Sequence, residues 1–243
     1  MRAGGDAADG AAVFLVLSRW AFAQLLDSAL PVGAFSHSFG LETAVQEGVV
    51  KTKDDVAEYI AAMLRHVWAP MDAAAVKAVY RCGARDGDWD RVWALDERLH
   101  ASRLAAESRD GVLKMGRRLL KLGAAMHPSL DWALLERAVS SGACPGTHPT
   151  VHGYAAYLLG VGEDEAAEGY LYACATLAAN TALRLMPIGQ TEAQALLASL
   201  LPRIGEAWAA AAPLEPEAYY SAAPAMDGYM MRHEGLYSRL FMS

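Results

Sequence analysis

The sequence predicts an all-α protein, a single-domain bundle of about ten helices. Three observations carry that reading. Apolar residues recur at three- and four-residue steps through most of the 243 positions. Alanine and leucine, both good helix formers, fill the intervals, and β-branched residues are sparse. Alternating strand patterns are nearly absent.

Residues 1–10 are small and polar and read as a flexible tail. A first helix is expected from Val13 to Ser28, and a short one from Leu41 to Gly48. Thr52 with Asp55 forms a capping signal. After it Val56, Ile60, Met63, Leu64 and Val67 trace one helical face. Pro70 lacks an N–H, so the chain is expected to restart there and continue as helix from Ala74 to Tyr80. Arg85 to Asp88 is a turn. Trp89–His100, Ser102–Leu122 and Asp131–Val139 read as helices. Gly142 to Thr150, G-A-C-P-G-T-H-P-T, is the longest clear loop, and helix resumes from Val151 to Leu159. Ala166, Tyr170, Cys174, Leu177, Thr181 and Leu185 form a strong stripe, with Asn180 expected to hydrogen-bond in the core. Met186 to Gln190 breaks it. Thr191–Trp208 is helix, Pro213–Glu217 a linker and Ala225–His233 the last helix. Residues 11–233 thus form the domain, and 234–243 a C-terminal docking tail.

Composition excludes several functions. With 54% hydrophobic and 20% charged residues the chain can bury a large core. A net charge of −7 without a basic run argues against nucleic-acid binding. The densest basic stretch, Lys114, Arg117, Arg118 and Lys121, reads as a solvated or partner-facing face. No run approaches the roughly 18 apolar residues of a membrane span. Cys82, Cys144 and Cys174 form no C-x-x-C pair and are odd in number, which suggests free thiols in a reducing, cytoplasmic setting. Cys174 is expected in the core. The N-terminal apolar stretch is not read as a signal peptide, because Asp6, Asp9, Arg19 and Trp20 spoil the pattern.

No phosphate loop, dinucleotide fingerprint or serine elbow is present, so the chain is not expected to bind nucleotides itself. His148 and His152 have the i, i+4 spacing of metal ligands, but Pro149 stands between them and favours a turn at His148. His37 with Glu42, and His233 with Glu234, are isolated pairs that make no metal site alone. Two segments stand out. The first is Ser28 to Glu42, S-A-L-P-V-G-A-F-S-H-S-F-G-L-E. By residue type it is a capped turn with a helix starting at Ser36 or Ser38. The second is the end, R-H-E-G-L-Y-S-R-L-F-M-S, whose Leu236, Tyr237, Leu240 and Phe241 with Arg232 and Arg239 describe an interface better than a frayed terminus. Docking on its own domain and docking on a partner both fit it.

Four segments, in order, resemble the urease accessory protein UreF family. They are A-L-P-V-G-A-F-S-H-S-F-G-L-E, T-H-P-T-V-H-G-Y-A-A-Y-L-L-G, N-T-A-L-R-L-M-P-I-G-Q-T-E-A-Q-A-L-L and H-E-G-L-Y-S-R-L-F-M-S. The resemblance implies an all-α homodimer that is not an enzyme. It implies a bridge between the accessory protein UreD (also called UreH) and the GTPase UreG. That complex delivers nickel to apo-urease, and UreF has been proposed to regulate GTP hydrolysis. Nickel is then handled by the complex, GTP is bound by UreG, and no cofactor is held tightly here. In this family the tail orders against the body when UreD docks, and supports the surface that recruits UreG.

By that resemblance Pro31, Gly33, Phe35, Ser36, His37, Ser38, Gly40 and Glu42 support the interface, with Gln190, His233, Glu234, Tyr237, Arg239 and Leu240. Phe35, where tyrosine also occurs in the family, and Arg239 become the two halves of an expected body–tail contact. Two other readings compete: a helical small-molecule-binding protein or enzyme with a pocket around Phe35, His37 and the Asn180 helix, and a metal carrier using His148 and His152.

Overall fold

A computed structural model describes residues 18–243. The expected tail over 1–10 and the first part of the expected helix at 13–28 lie outside the described residues. The described part of that helix, α1, spans 18–25. The other helices are α2 (Leu41–Gln46), α3 (Lys53–Met63), α4 (Ala73–Ala78), α5 (Trp89–Ala101), α6 (Ala106–Met126), α7 (Ala133–Ser141), α8 (His148–Leu158), α9 (Glu163–Leu185), α10 (Gln190–Ala211) and α11 (Pro224–Arg232). The described residues contain no strand, and no described helix is long and apolar enough to cross a membrane.

The chain does not restart at Pro70. Two π-helical stretches, Leu64–Asp72 and Val79–Arg85, join α3 to α4 and extend it, giving one helical run from Lys53 to Arg85. Pro70 removes the N–H that would serve the His66 carbonyl in an α-helix. That carbonyl instead accepts Ala222 N at 2.9 Å. A proline is therefore tolerated because a distant irregular segment satisfies the orphaned acceptor. The Thr52 cap forms as expected: Asp55 N donates to Thr52 Oγ1 at 3.2 Å, and Asp55 Oδ2 accepts Thr52 N at 2.9 Å.

The centre of the bundle is α4, every residue of which is buried. It packs on α5, α8 and α9, while α6 lies along α8 and α10 along α9. Small residues set these close approaches. A Cβ at Gly116 of α6 would lie 2.2 Å from the Gly146 carbonyl oxygen, so only glycine fits there. Lys77, buried in α4, donates to the carbonyls of Ala211 and Leu214 at 2.9 Å each. Arg81 donates to Ala212 O at 2.9 Å and pairs with Glu163. Two cations thus meet the carbonyl-rich C-terminal end of α10, where the helix dipole favours positive charge.

Several details differ from expectation. Ser102 opens no helix; residues 102–105 are a break before α6. Helix α8 begins at His148, since Pro149 falls in its first turn, where a missing N–H costs nothing. The linker after α10 carries a short 3-10 turn, Pro216–Ala218.

Candidate functional site

The segment from Ser28 to Glu42 does not cap a helix with serine. Gly33, at φ +88°, opens a 3-10 turn over Ala34–Ser36. The helix starts only at Leu41, after Gly40 at φ +90°. A Cβ on Gly40 would meet Tyr59 Oη at 3.0 Å and Met230 N at 3.2 Å. Phe39 between them sits at φ +47°, and its carbonyl accepts Tyr59 Oη at 2.8 Å. Such a left-handed non-glycine residue persists only where its surroundings hold it.

The serines face the tail instead. Ser38 Oγ and Ser38 N each donate to the main-chain oxygen of Ser243 at 2.6 Å, and Phe39 N reaches the same oxygen at 3.2 Å. His37 Nδ1 lies 2.8 Å from Ser243 Oγ. Met242 N donates to Ser36 O at 2.7 Å. Residues 36–39 and 242–243 therefore pair through their main chains.

A second clasp surrounds Glu42, which is fully buried. Its carboxylate accepts Leu240 N at 2.7 Å and Phe241 N at 3.2 Å. It also meets His233 Nε2 at 2.9 Å. The other ring nitrogen of His233 lies 2.6 Å from Glu107 Oε2, and Arg239 Nη1 donates to Glu107 Oε1 at 2.6 Å. The His233 ring thus sits between two carboxylates, one at each nitrogen. Outside the clasp Arg232 pairs with Glu47 through two bonds of 2.7 and 2.8 Å, and Gln46 Nε2 donates to Ser238 O at 2.8 Å.

Ser36, His37, Ser38, Glu42, His233, Arg239 and Leu240, half of the residues expected to support an interface, meet in one body–tail joint, and Gly40 packs on Tyr59 and Met230 beside it. The expected contact between Phe35 and Arg239 is not the one made. Arg239 reaches Glu107, and the Phe35 carbonyl accepts Arg184 Nη1 at 2.7 Å. Arg184 also lies over the Phe241 ring, 4.2 Å from its centre. The Phe35 ring remains 68% exposed. Pro31 is exposed, and its carbonyl accepts Arg118 Nε at 3.2 Å. Tyr237 and Glu234 are exposed, and Gln190 is exposed at the start of α10 with no bond to the tail among the described residues.

One residue of a second polar centre was missed. Asp96 of α5, almost fully buried, accepts Gly146 N at 2.9 Å, Thr147 N at 3.1 Å and Thr150 Oγ1 at 2.6 Å. Thr147 Oγ1 and Cys144 Sγ also donate to it. It fixes the loop that leads into α8, so the threonines of the second motif serve an aspartate some fifty positions earlier. The two threonines, Thr147 and Thr150, were the only available signal.

His148 and His152 do stand on one face of α8, with ring centres 6.4 Å apart. His152 Nε2 is engaged with the Ala166 carbonyl at 3.1 Å. Among the described residues no three His, Cys, Asp or Glu side chains are placed to hold a metal. Cys174 is part-buried, packs against the core and also lines a cavity, as does Asn180, whose amide has no hydrogen bond among the described residues.

Burial holds His37 down to about 4, with Lys114 adding to the effect. Burial likewise holds His148 to about 3 and His152 to about 4. Each ring is neutral when folded and binds a proton more readily when unfolded. Stability therefore falls as pH drops from about 6.5 towards 4, by roughly 2 kcal/mol for His37 between pH 7 and pH 5. Urea midpoints should be lower at pH 5 than at pH 7, and His37→Leu should flatten that difference. Equal midpoints at both values would show the rings protonated in the folded state.

The fold and this joint define a single-domain, all-α protein whose last residues are folded onto its body. The UreF family model matches residues 50–201. Relatives described as urease accessory protein UreF align over nearly the full chain. The one from Actinobacillus pleuropneumoniae is 36% identical over 227 residues, covering 92% of this chain and 98% of its own. That from Lachnoclostridium phytofermentans is 33% identical over 221 residues, covering 90% and 96%. That from Kocuria rhizophila is 34% identical over 226 residues, covering 90% and 94%. The chain belongs to the UreF family of urease accessory proteins.

Proposed function

We propose that this protein is a non-catalytic assembly factor that bridges UreD and the GTPase UreG in a cytoplasmic complex delivering nickel to apo-urease. It acts as a homodimer, binds no cofactor tightly, and leaves GTP to UreG, whose hydrolysis it regulates.

The observation that supports this reading is the docked tail. Residues 240–243 are tied to the body by buried polar bonds, yet Leu240 and Met242 stay exposed, as do Tyr237 and Phe35 nearby. Main chain and charge hold the segment in place, and apolar side chains face outward. Aromatic and aliphatic side chains presented on a fixed frame suit a protein partner. Co-expression with UreD and UreG should give a complex that copurifies, and urease should fail to mature when this chain is absent. No complex, together with normal urease maturation in its absence, would refute the proposal.

A further inference from the structure

Between α1, the first π-helical stretch, α6, α9 and α11 lies a cavity of about 150 Å³. Its wall is mostly apolar, with Met63, Met71 and Met115 prominent. Methionines adapt their shape to an occupant. The wall also carries three buried polar atoms with no partner among the described residues: Arg103 Nε, Ser108 Oγ and Thr176 Oγ1. Ser108 is 3% exposed. Buried polar groups are nearly always paired, so three orphans on one cavity wall call for an acceptor inside it.

We propose that this cavity binds a neutral organic molecule, apolar except for one oxygen that accepts hydrogen bonds. An apolar cavity of about 150 Å³ is known to take benzene, which sets the size class. The chemistry follows from the orphans: Arg103 Nε only donates, and both hydroxyls can donate. Neutrality follows from the charges. Asp72 already meets Arg103 Nη2 at 2.5 Å and accepts Tyr170 Oη at 3.0 Å. Asp227 and Arg184 also line the wall. Arg103 is paired with Asp72, and Arg184 is engaged by the Phe35 carbonyl and the Phe241 ring, so an anionic ligand would be buried without compensation. The ligand oxygen sits at the Arg103 end and its apolar body lies along the methionines. The cavity borders the body–tail joint, sharing His37, Ser38 and Arg184 with it.

The test uses the purified full chain and three probes of one shape: acetophenone, ethylbenzene and benzoate. Calorimetric titration should show acetophenone saturating one site per chain, on the order of tenfold tighter than ethylbenzene, the worth of a net hydrogen bond. Benzoate should bind more weakly than acetophenone. Ser108→Ala and Thr176→Val remove hydroxyls that have no partner, so both variants should keep the wild-type melting temperature or raise it. Each should weaken acetophenone several-fold and leave ethylbenzene unchanged. The proposal is overturned if acetophenone does not saturate, if it binds no tighter than ethylbenzene, if benzoate binds as tightly, or if the two variants leave its affinity unchanged. Crystals soaked in acetophenone that show only water in the cavity would overturn it as well.

Discussion

Glu42→Ala is expected to release the last eight residues from the body and to destabilise the fold by several kcal/mol, at about 1–3 kcal/mol for each buried donor left without an acceptor. Glu42 is fully buried and serves three donors at once: His233 Nε2, Leu240 N and Phe241 N. Alanine leaves all of them without an acceptor. Glu42→Gln keeps the shape but replaces one accepting oxygen with an amide that only donates, so it should show an intermediate loss. Limited proteolysis reads the release directly: cleavage after Arg239 should be slow in the wild-type chain and fast in Glu42→Ala. Loss of helical circular dichroism at room temperature would indicate a wider collapse than the joint alone explains.

Asp96→Ala is expected to be at least as damaging but to act elsewhere. Its carboxylate accepts two main-chain N–H groups and two threonine hydroxyls, besides the Cys144 thiol. At about 1–3 kcal/mol for each orphaned buried donor, the loss should reach several kcal/mol. For a chain of this size that lowers the melting temperature by roughly 10 °C or more. The tail should stay docked in whatever fraction remains folded, because Asp96 makes no recorded bond to it. Thermal melting followed beside tail proteolysis separates the two variants. An Asp96→Ala chain that melts with wild type would mean the loop before α8 is held by packing alone.

Helix type was legible wherever apolar periodicity was long, as in α3, α6, α9 and α10, because burial of one face decides such segments. The Thr52 cap was legible because its partners are three residues apart. Pro70 was misread for the opposite reason. The donor that rescues the His66 carbonyl belongs to Ala222, and no local pattern announces it. The same limit hid Asp96, whose partners lie in a loop about fifty residues away, and Glu107, one of several charged residues on α6. The unusual composition of residues 28–42 and 233–243 did mark the joint. Its pairings were not readable: Ser36 and Ser38 resembled helix caps, and Arg239 was matched with Phe35 rather than Glu107. Serine offers the same hydroxyl to a helix end or to a distant oxygen, and only the fold chooses between them.

In the proposed function the docked tail builds the surface that UreG recognises. Truncation after Gly235 removes that tail while leaving every helix from α1 to α11 in place. The most direct measurement is the capture of UreG by a preformed complex of UreD with the truncated chain, compared with wild type and with Arg239→Ala. Helical circular dichroism should be retained in both variants, UreG capture should be lost in the truncation, and it should be weakened in Arg239→Ala. Undiminished UreG capture by the truncated chain would contradict the claim.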